Sequence, residues 1–273
     1  MNRRAGLAVM MLAMILFGGS ILASKMSSSS KEILSIETFV GDSLAAYRTR
    51  NSLEDPDLFA RLEDSGSHFL VARNEHPDDP SGLSLTYRND TCSVVLPTGR
   101  QIAFGYDAGV ITSITVTMPL EPLSWESMLE QSSDLADSFD AAGFDSGKRH
   151  QELRPKDFLD KGADKWAQVG AWTVCGQSEV KVRLTARYLD SGSSASFSPP
   201  AVLSKGSPDT PEDRFLLQAY LSARATTFSK ELWELREARR VAVHGDKNIA
   251  LPLDVWLDDP SWRPEGWQGK HVP

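Results

Sequence analysis

QIAFGYDAGVITSITVTM, residues 101–118, holds two runs rich in β-branched and aromatic residues, broken by Asp107-Ala108-Gly109. That triplet has the composition of a hairpin turn. A parallel crossover needs roughly a dozen or more residues, so the two runs must pair antiparallel. Similar short runs lie upstream: HFLVARN (68–74), LSLTYR (83–88) and CSVVLP (92–97). The last joins QIAFGYD through the turn-like Pro97-Thr98-Gly99-Arg100. Links this short predict an antiparallel β-meander of four or five strands.

A helix is expected directly downstream. Ser124 has the chemistry of an N-cap, Met128, Leu135, Phe139 and Ala142 recur at helical spacing, and Gly143 suits a left-handed C-terminus. A meander followed by an amphipathic helix is the α+β pattern, in which the helix covers one sheet face. A second hairpin follows, with strands over 166–174 and 178–189 around Cys175-Gly176-Gln177. In its second strand Val180, Val182, Leu184, Ala186 and Tyr188 alternate with Glu179, Lys181, Arg183, Thr185 and Arg187. That alternation marks a half-buried strand with a charged outer face.

Residues 191–208 are rich in Ser, Gly and Pro and read as a loop. Asp209-Thr210-Pro211-Glu212-Asp213 has the form of a helix start. Phe215, Leu216, Ala219 and Tyr220 would then supply an apolar helix face, and a further helix is expected from about Ser229 to Arg240. The expected organisation is an export segment (1–24), a linker with short helices (25–65), an α+β domain (66–190), the loop (191–208), and a helical C-terminal part with a Trp-rich tail (209–273).

The export segment begins with Arg3 and Arg4, followed by an uncharged apolar run over 5–23. A helix of that length spans roughly 28 Å, close to a bilayer core, and the positive flank stays on the cytoplasmic side. No clean small-x-small cleavage site is present, which favours a signal anchor over a cleaved signal peptide. The expected location is the bacterial inner membrane with the body in the periplasm, or a soluble periplasmic protein if the signal is removed.

Net charge is −8, and 27 basic face 37 acidic residues once Arg3 and Arg4 are set aside. Nucleic acid is a poor partner for such a chain, because phosphate neutralisation needs clustered cations. The overall charge suits a basic or neutral protein partner. Cys92 and Cys175 are the only cysteines, and in an oxidising compartment they are expected to form a disulfide. The five histidines, His68, His76, His150, His244 and His271, show no metal-ligand spacing, so no metal or other cofactor is expected.

Gly41-Asp42-Ser43-Leu44 resembles the nucleophile block of the GDSL/SGNH esterase and lipase family. The resemblance implies Ser43 as nucleophile, with Asn89 of Asn89-Asp90 helping to bind the oxyanion. Tyr87 stands where that family has glycine, and no histidine has an aspartate three residues before it. Without the resemblance, Gly-Asp-Ser reads as a helix-capping turn. Trp256, Trp262 and Trp267 cluster among prolines. They are either an interface or sugar-stacking surface, or rings that lay a C-terminal arm on the core. The functional expectation is a non-enzymatic, membrane-anchored binding protein of the bacterial envelope, an immunity protein against a secreted toxin being one specific form. The alternatives are an exported serine esterase using Ser43 and an envelope glycan-binding module.

Overall fold

A computed structural model describes residues 33–52, 62–64, 69–73, 82–149, 153–154, 158, 166–189, 215–223 and 226–269. The export segment, linker residues 25–32, 53–61 and 65, the 191–208 loop and the helix start at 209–213 lie outside the described residues. No helix among the described residues is long and apolar enough to cross a membrane.

The structure is α+β, built from a seven-stranded and a three-stranded sheet. The hairpin expected at 101–118 is present in the large sheet, with β5 (Gln101–Asp107) pairing antiparallel with β6 (Val110–Leu123). At its turn Ala108 and Gly109 both have positive φ, 48° and 73°. That geometry matches the right-handed strand twist. Residues 41–44 clamp the turn: Leu44 N–H donates to Gly109 O, Ile111 N–H to Asp42 O, and Gly41 N–H to Ile111 O, all at 2.8–2.9 Å.

Helix α2 (Trp125–Ala141) forms as its sequence predicts. The Ser124 hydroxyl accepts from Ser127 N–H, and Met128, Ser132, Leu135, Ala136 and Phe139 make the buried stripe. Its ring contacts explain its position, since Phe139 packs on Trp172 of β8 (Trp166–Val174) at 5.0 Å. The Trp172 indole N–H donates to Asp140 at 2.7 Å, so the one polar atom of that buried ring is satisfied. The second hairpin, β8 with β9 (Gln177–Tyr188), is also present, and β7 (Asp145–Arg149) pairs outside β8.

Three expectations are corrected. First, the predicted helix carrying Phe215, Leu216, Ala219 and Tyr220 is a strand, β10 (Phe215–Ser222). It lies between β6 and β9, antiparallel to both. A continuous apolar run such as FLLQAYL satisfies helical and strand spacing alike, and the free edges of two neighbours choose the strand. The C-terminal part is therefore not wholly helical. Second, the meander is divided. β2 (Phe69–Arg73) joins β5 in the large sheet, whereas β3 (Leu83–Arg88) and β4 (Ser93–Val95) form the small one. Third, the small sheet has a parallel pair: β1 (Leu34–Thr38) runs beside β3 in register from Leu34↔Leu83 to Thr38↔Tyr87. The intervening chain, which includes helix α1 (Leu44–Arg50), is long enough for the crossover.

The small sheet, α1 and α2 all cover one face of the large sheet. Tyr47 of α1 packs on Phe104 of β5 at 5.2 Å, and Tyr87 of β3 meets Phe144 edge-on. Cys92 and Cys175 form the expected disulfide, 83 residues apart in sequence. It joins the end of the small sheet to the β8–β9 turn. Helix α3 (Thr227–His244) also forms where a helix is expected; Thr226 caps it through a capping box with Ser229, and Gly245 ends it in the left-handed conformation. A short helix, α4 (Asp254–Asp258), carries Trp256.

Two substitutions test these constraints. A Cβ added at Gly109 would lie 2.8 Å from Trp256 Cβ, at a backbone position strained for any L side chain. Gly109→Ala should therefore lower unfolding free energy by about 2–4 kcal/mol in urea titration. The Cys92→Ser/Cys175→Ser double variant should lose at most about 4–5 kcal/mol, the chain-entropy value for a loop of this length. An unchanged urea midpoint would show that the bridge constrains nothing.

Candidate binding surface

The residues singled out from the sequence fall into separate places. The Ser43 hydroxyl accepts from Ala46 N–H and caps α1, as the capping reading of Gly-Asp-Ser requires. Asp42 beside it is buried, accepting from Thr38 Oγ1 at 2.9 Å and from the Arg50 guanidinium. Asn89 is held in a polar knot. One side-chain N–H donates to Cys175 O and one to Gln177 Oε1, while Asn89 Oδ1 accepts from Thr91 and Cys92 N–H. Gln177 in turn donates to Val40 O at 2.8 Å and accepts from Tyr87 O–H. Asn89 is thus committed to holding the disulfide turn. The only histidine among the described residues is His244, in the last turn of α3.

Trp256 is buried at 1 % exposure, so its ring belongs to the core. Trp262 meets it edge-on at 6.3 Å, and the buried Arg239 guanidinium lies over both rings, at 4.4 and 5.3 Å. Trp262 and Trp267 are half-buried against the core. These contacts fit an arm laid on the body. Desolvation lowers the Arg239 pKa, partly offset by Asp259.

Two further arginines of α3 pair with carboxylates. Arg240 makes a bidentate contact with Asp64, which is fully buried and also accepts from Leu251 N–H. Arg236 donates to Asp107, at the end of β5, at 2.7 Å. The spacing Arg236, Arg239, Arg240 places all three on neighbouring faces of one helix. It was visible in the sequence, but the acidic partners of Arg236 and Arg240 lie more than a hundred residues away. Burial pushes the Asp107 carboxyl up to about 6, against the pull of the Arg236 guanidinium.

The feature with access to solvent is the other face of the large sheet. On β9, Val180, Val182, Leu184 and Ala186 point inward and are buried, whereas Lys181 and Arg183 are exposed and Thr185 and Arg187 half-exposed. Register extends this face across the sheet, because directly opposed residues share a side. Gln168, Thr185, Gln218, Thr117 and Gln101 form one row across β8, β9, β10, β6 and β5. All five are half-exposed. Arg183, Tyr220 and Thr115 form the next row, and Trp166 stands opposite Arg187. Gln218 Nε2 donates to Thr117 Oγ1 at 3.3 Å, and Lys181 Nζ to Thr173 Oγ1 at 2.7 Å. Helix α3 bridges one end of the large sheet, from Glu179, which accepts from Phe228 N–H, to Asp107. The sequence showed the charged alternation on β9; the neutral rows beside it depend on β10, which it did not show.

No family model matches the chain, and no curated protein or solved structure matches it significantly. What the site defines is a class of arrangement: a broad, flat, polar sheet face backed by a packed core. Among the described residues no cluster of three His, Cys, Asp or Glu side chains is placed to hold a metal.

The Asp107 carboxyl has a testable consequence. Its folded value of about 6 lies above the ordinary 3.8, so the folded state binds the extra proton between these values. Its contribution to stability is full below 3.8 and is lost as pH rises through about 6. Wild type should therefore lose stability relative to Asp107→Asn between pH 4 and 7 in urea titrations. A relative gain over that range would show that the Arg236 pair outweighs burial.

Proposed function

We propose that the chain is a non-enzymatic binding protein of the bacterial cell envelope. Residues 5–23 anchor it in the inner membrane, the body stands in the periplasm, and another protein is the partner. An immunity protein that neutralises a secreted toxin is the specific form we favour, since it needs a rigid ectodomain and a contact face rather than a catalytic centre. The observation that carries the reading is the outer sheet face. Its half-exposed Gln and Thr rows and the cations of β9 lie on a packed scaffold, where a contact surface is preorganised at little entropic cost. The disulfide between Cys92 and Cys175 supports an oxidising compartment. The use of Ser43 Oγ as a helix cap weighs against the esterase alternative.

The test is affinity capture of the tagged full-length protein from detergent-solubilised envelopes. A stoichiometric protein partner is the expected result. A bare protein, together with ester hydrolysis that Ser43→Ala abolishes, would replace the binding reading with the esterase.

A further inference from the structure

The overall acidity of the chain points toward a basic or neutral partner, but the outer sheet face has the opposite local sign. Lys181, Arg183 and Arg187 lie along one side of β9. Lys181 and Arg183 are about 7 Å apart along the strand, and Arg183 and Arg187 about 13 Å. Among the described residues Lys181 donates only to the neutral Thr173 hydroxyl. Arg183 and Arg187 make no ion pair or hydrogen bond among the described residues. Of the acids at the borders of this region, Glu179 accepts from the first turn of α3 and Asp107 is paired with Arg236, while Asp145, in register with Thr173 on the edge strand β7, is a single carboxylate beside the three cations. The neighbouring rows, Gln168, Thr185, Gln218, Thr117 and Gln101, carry no charge.

We propose that this face, resting on the binding reading above, docks an acidic surface of the partner protein. Local complementarity steers association and selects the partner even when net charges do not match. The choice of a protein over a polyanion follows from the distribution of charge. Among the side chains described on this face the exposed cations are those of β9, and three on one strand are few for a polyphosphate chain, whose binding rests on many neutralised phosphates. The amide and hydroxyl rows instead offer both donors and acceptors, which suits a mixed polypeptide surface. Each arginine also has an aromatic neighbour in register, Trp166 beside Arg187 and Tyr220 beside Arg183. Arginine and aromatic side chains are the types enriched at protein interfaces.

The probe is poly-L-glutamate, measured by fluorescence anisotropy against the full-length protein in detergent at low salt. A chain of net charge −8 repels this polymer as a whole, so retention requires a local basic face. Wild type should bind it, with affinity falling as salt rises. The Arg183→Glu/Arg187→Glu variant should bind at least about tenfold more weakly, as expected when like charges are brought together. Both side chains lie outside the core, and an unchanged melting temperature will show that the variant is folded. Lys230→Glu, at an exposed cation on α3, should bind as wild type does. Absence of binding by wild type, or equal binding by the double variant, would overturn the proposal. Retention of heparin but not poly-L-glutamate would also overturn it, in favour of an anionic glycan. Envelope capture with the double variant separates the two readings. A partner captured by wild type and lost by the variant supports the face. A partner kept by both rejects the face but not the binding function, and no partner for either rejects the binding function itself.

Discussion

The pairing of β10 with both β6 and β9 is the constraint on which the large sheet depends. The β5–β6 and β8–β9 pairings are local hairpins, whereas β10 joins strands from both halves of the sheet. Without β10 the sheet would divide into a β2-β5-β6 half and a β9-β8-β7 half, each with an open edge of unpaired N–H and C=O groups. On its inner face β10 contributes Leu217, Ala219 and Leu221, all fully buried. On the other it contributes Gln218 and Tyr220. One strand therefore completes the core and joins the two halves of the outer face.

The rest of the molecule holds the parts around that sheet by polar links of long sequence range. Gln177 and Asn89 knot the small sheet to the β8–β9 turn, beside the Cys92–Cys175 bridge. Asp64 and Asp107 hold α3 through Arg240 and Arg236, and Arg239 seats Trp256 and Trp262. A buried pair of this kind adds little net stability over an apolar contact, but breaking one partner is costly. These links therefore specify where the C-terminal arm lies more than they increase stability. They also keep α3 at one end of the sheet, so the Gln and Thr rows stay half-open to solvent.

Local chemistry was legible from the chain: the β5–β6 hairpin from its short turn, α2 from Ser124 and the Met128-to-Phe139 spacing, and the half-buried β9 from its alternation. The disulfide followed from cysteine count and compartment. Each of these depends on neighbours within about twenty residues, or on counting. The outer face was only partly legible. Its cations lie on β9 and could be read, but the rows beside them require the cross-strand register of Thr185, Gln218 and Thr117.

Sequence by itself determined the α+β class, the hairpins, the capped helices and the sign of the overall charge. Tertiary structure decided that 215–222 is a strand, that β3 and β4 leave the meander, that β1 runs parallel to β3, and that Trp256 is core. The physical reason is common to all four. Each is settled by a partner distant in sequence, a free strand edge or an apolar ring awaiting cover, while the local residues are compatible with more than one outcome. The local sign of the outer face, opposite to that of the whole chain, arises in the same way, because charge is summed along the sequence but presented by the fold.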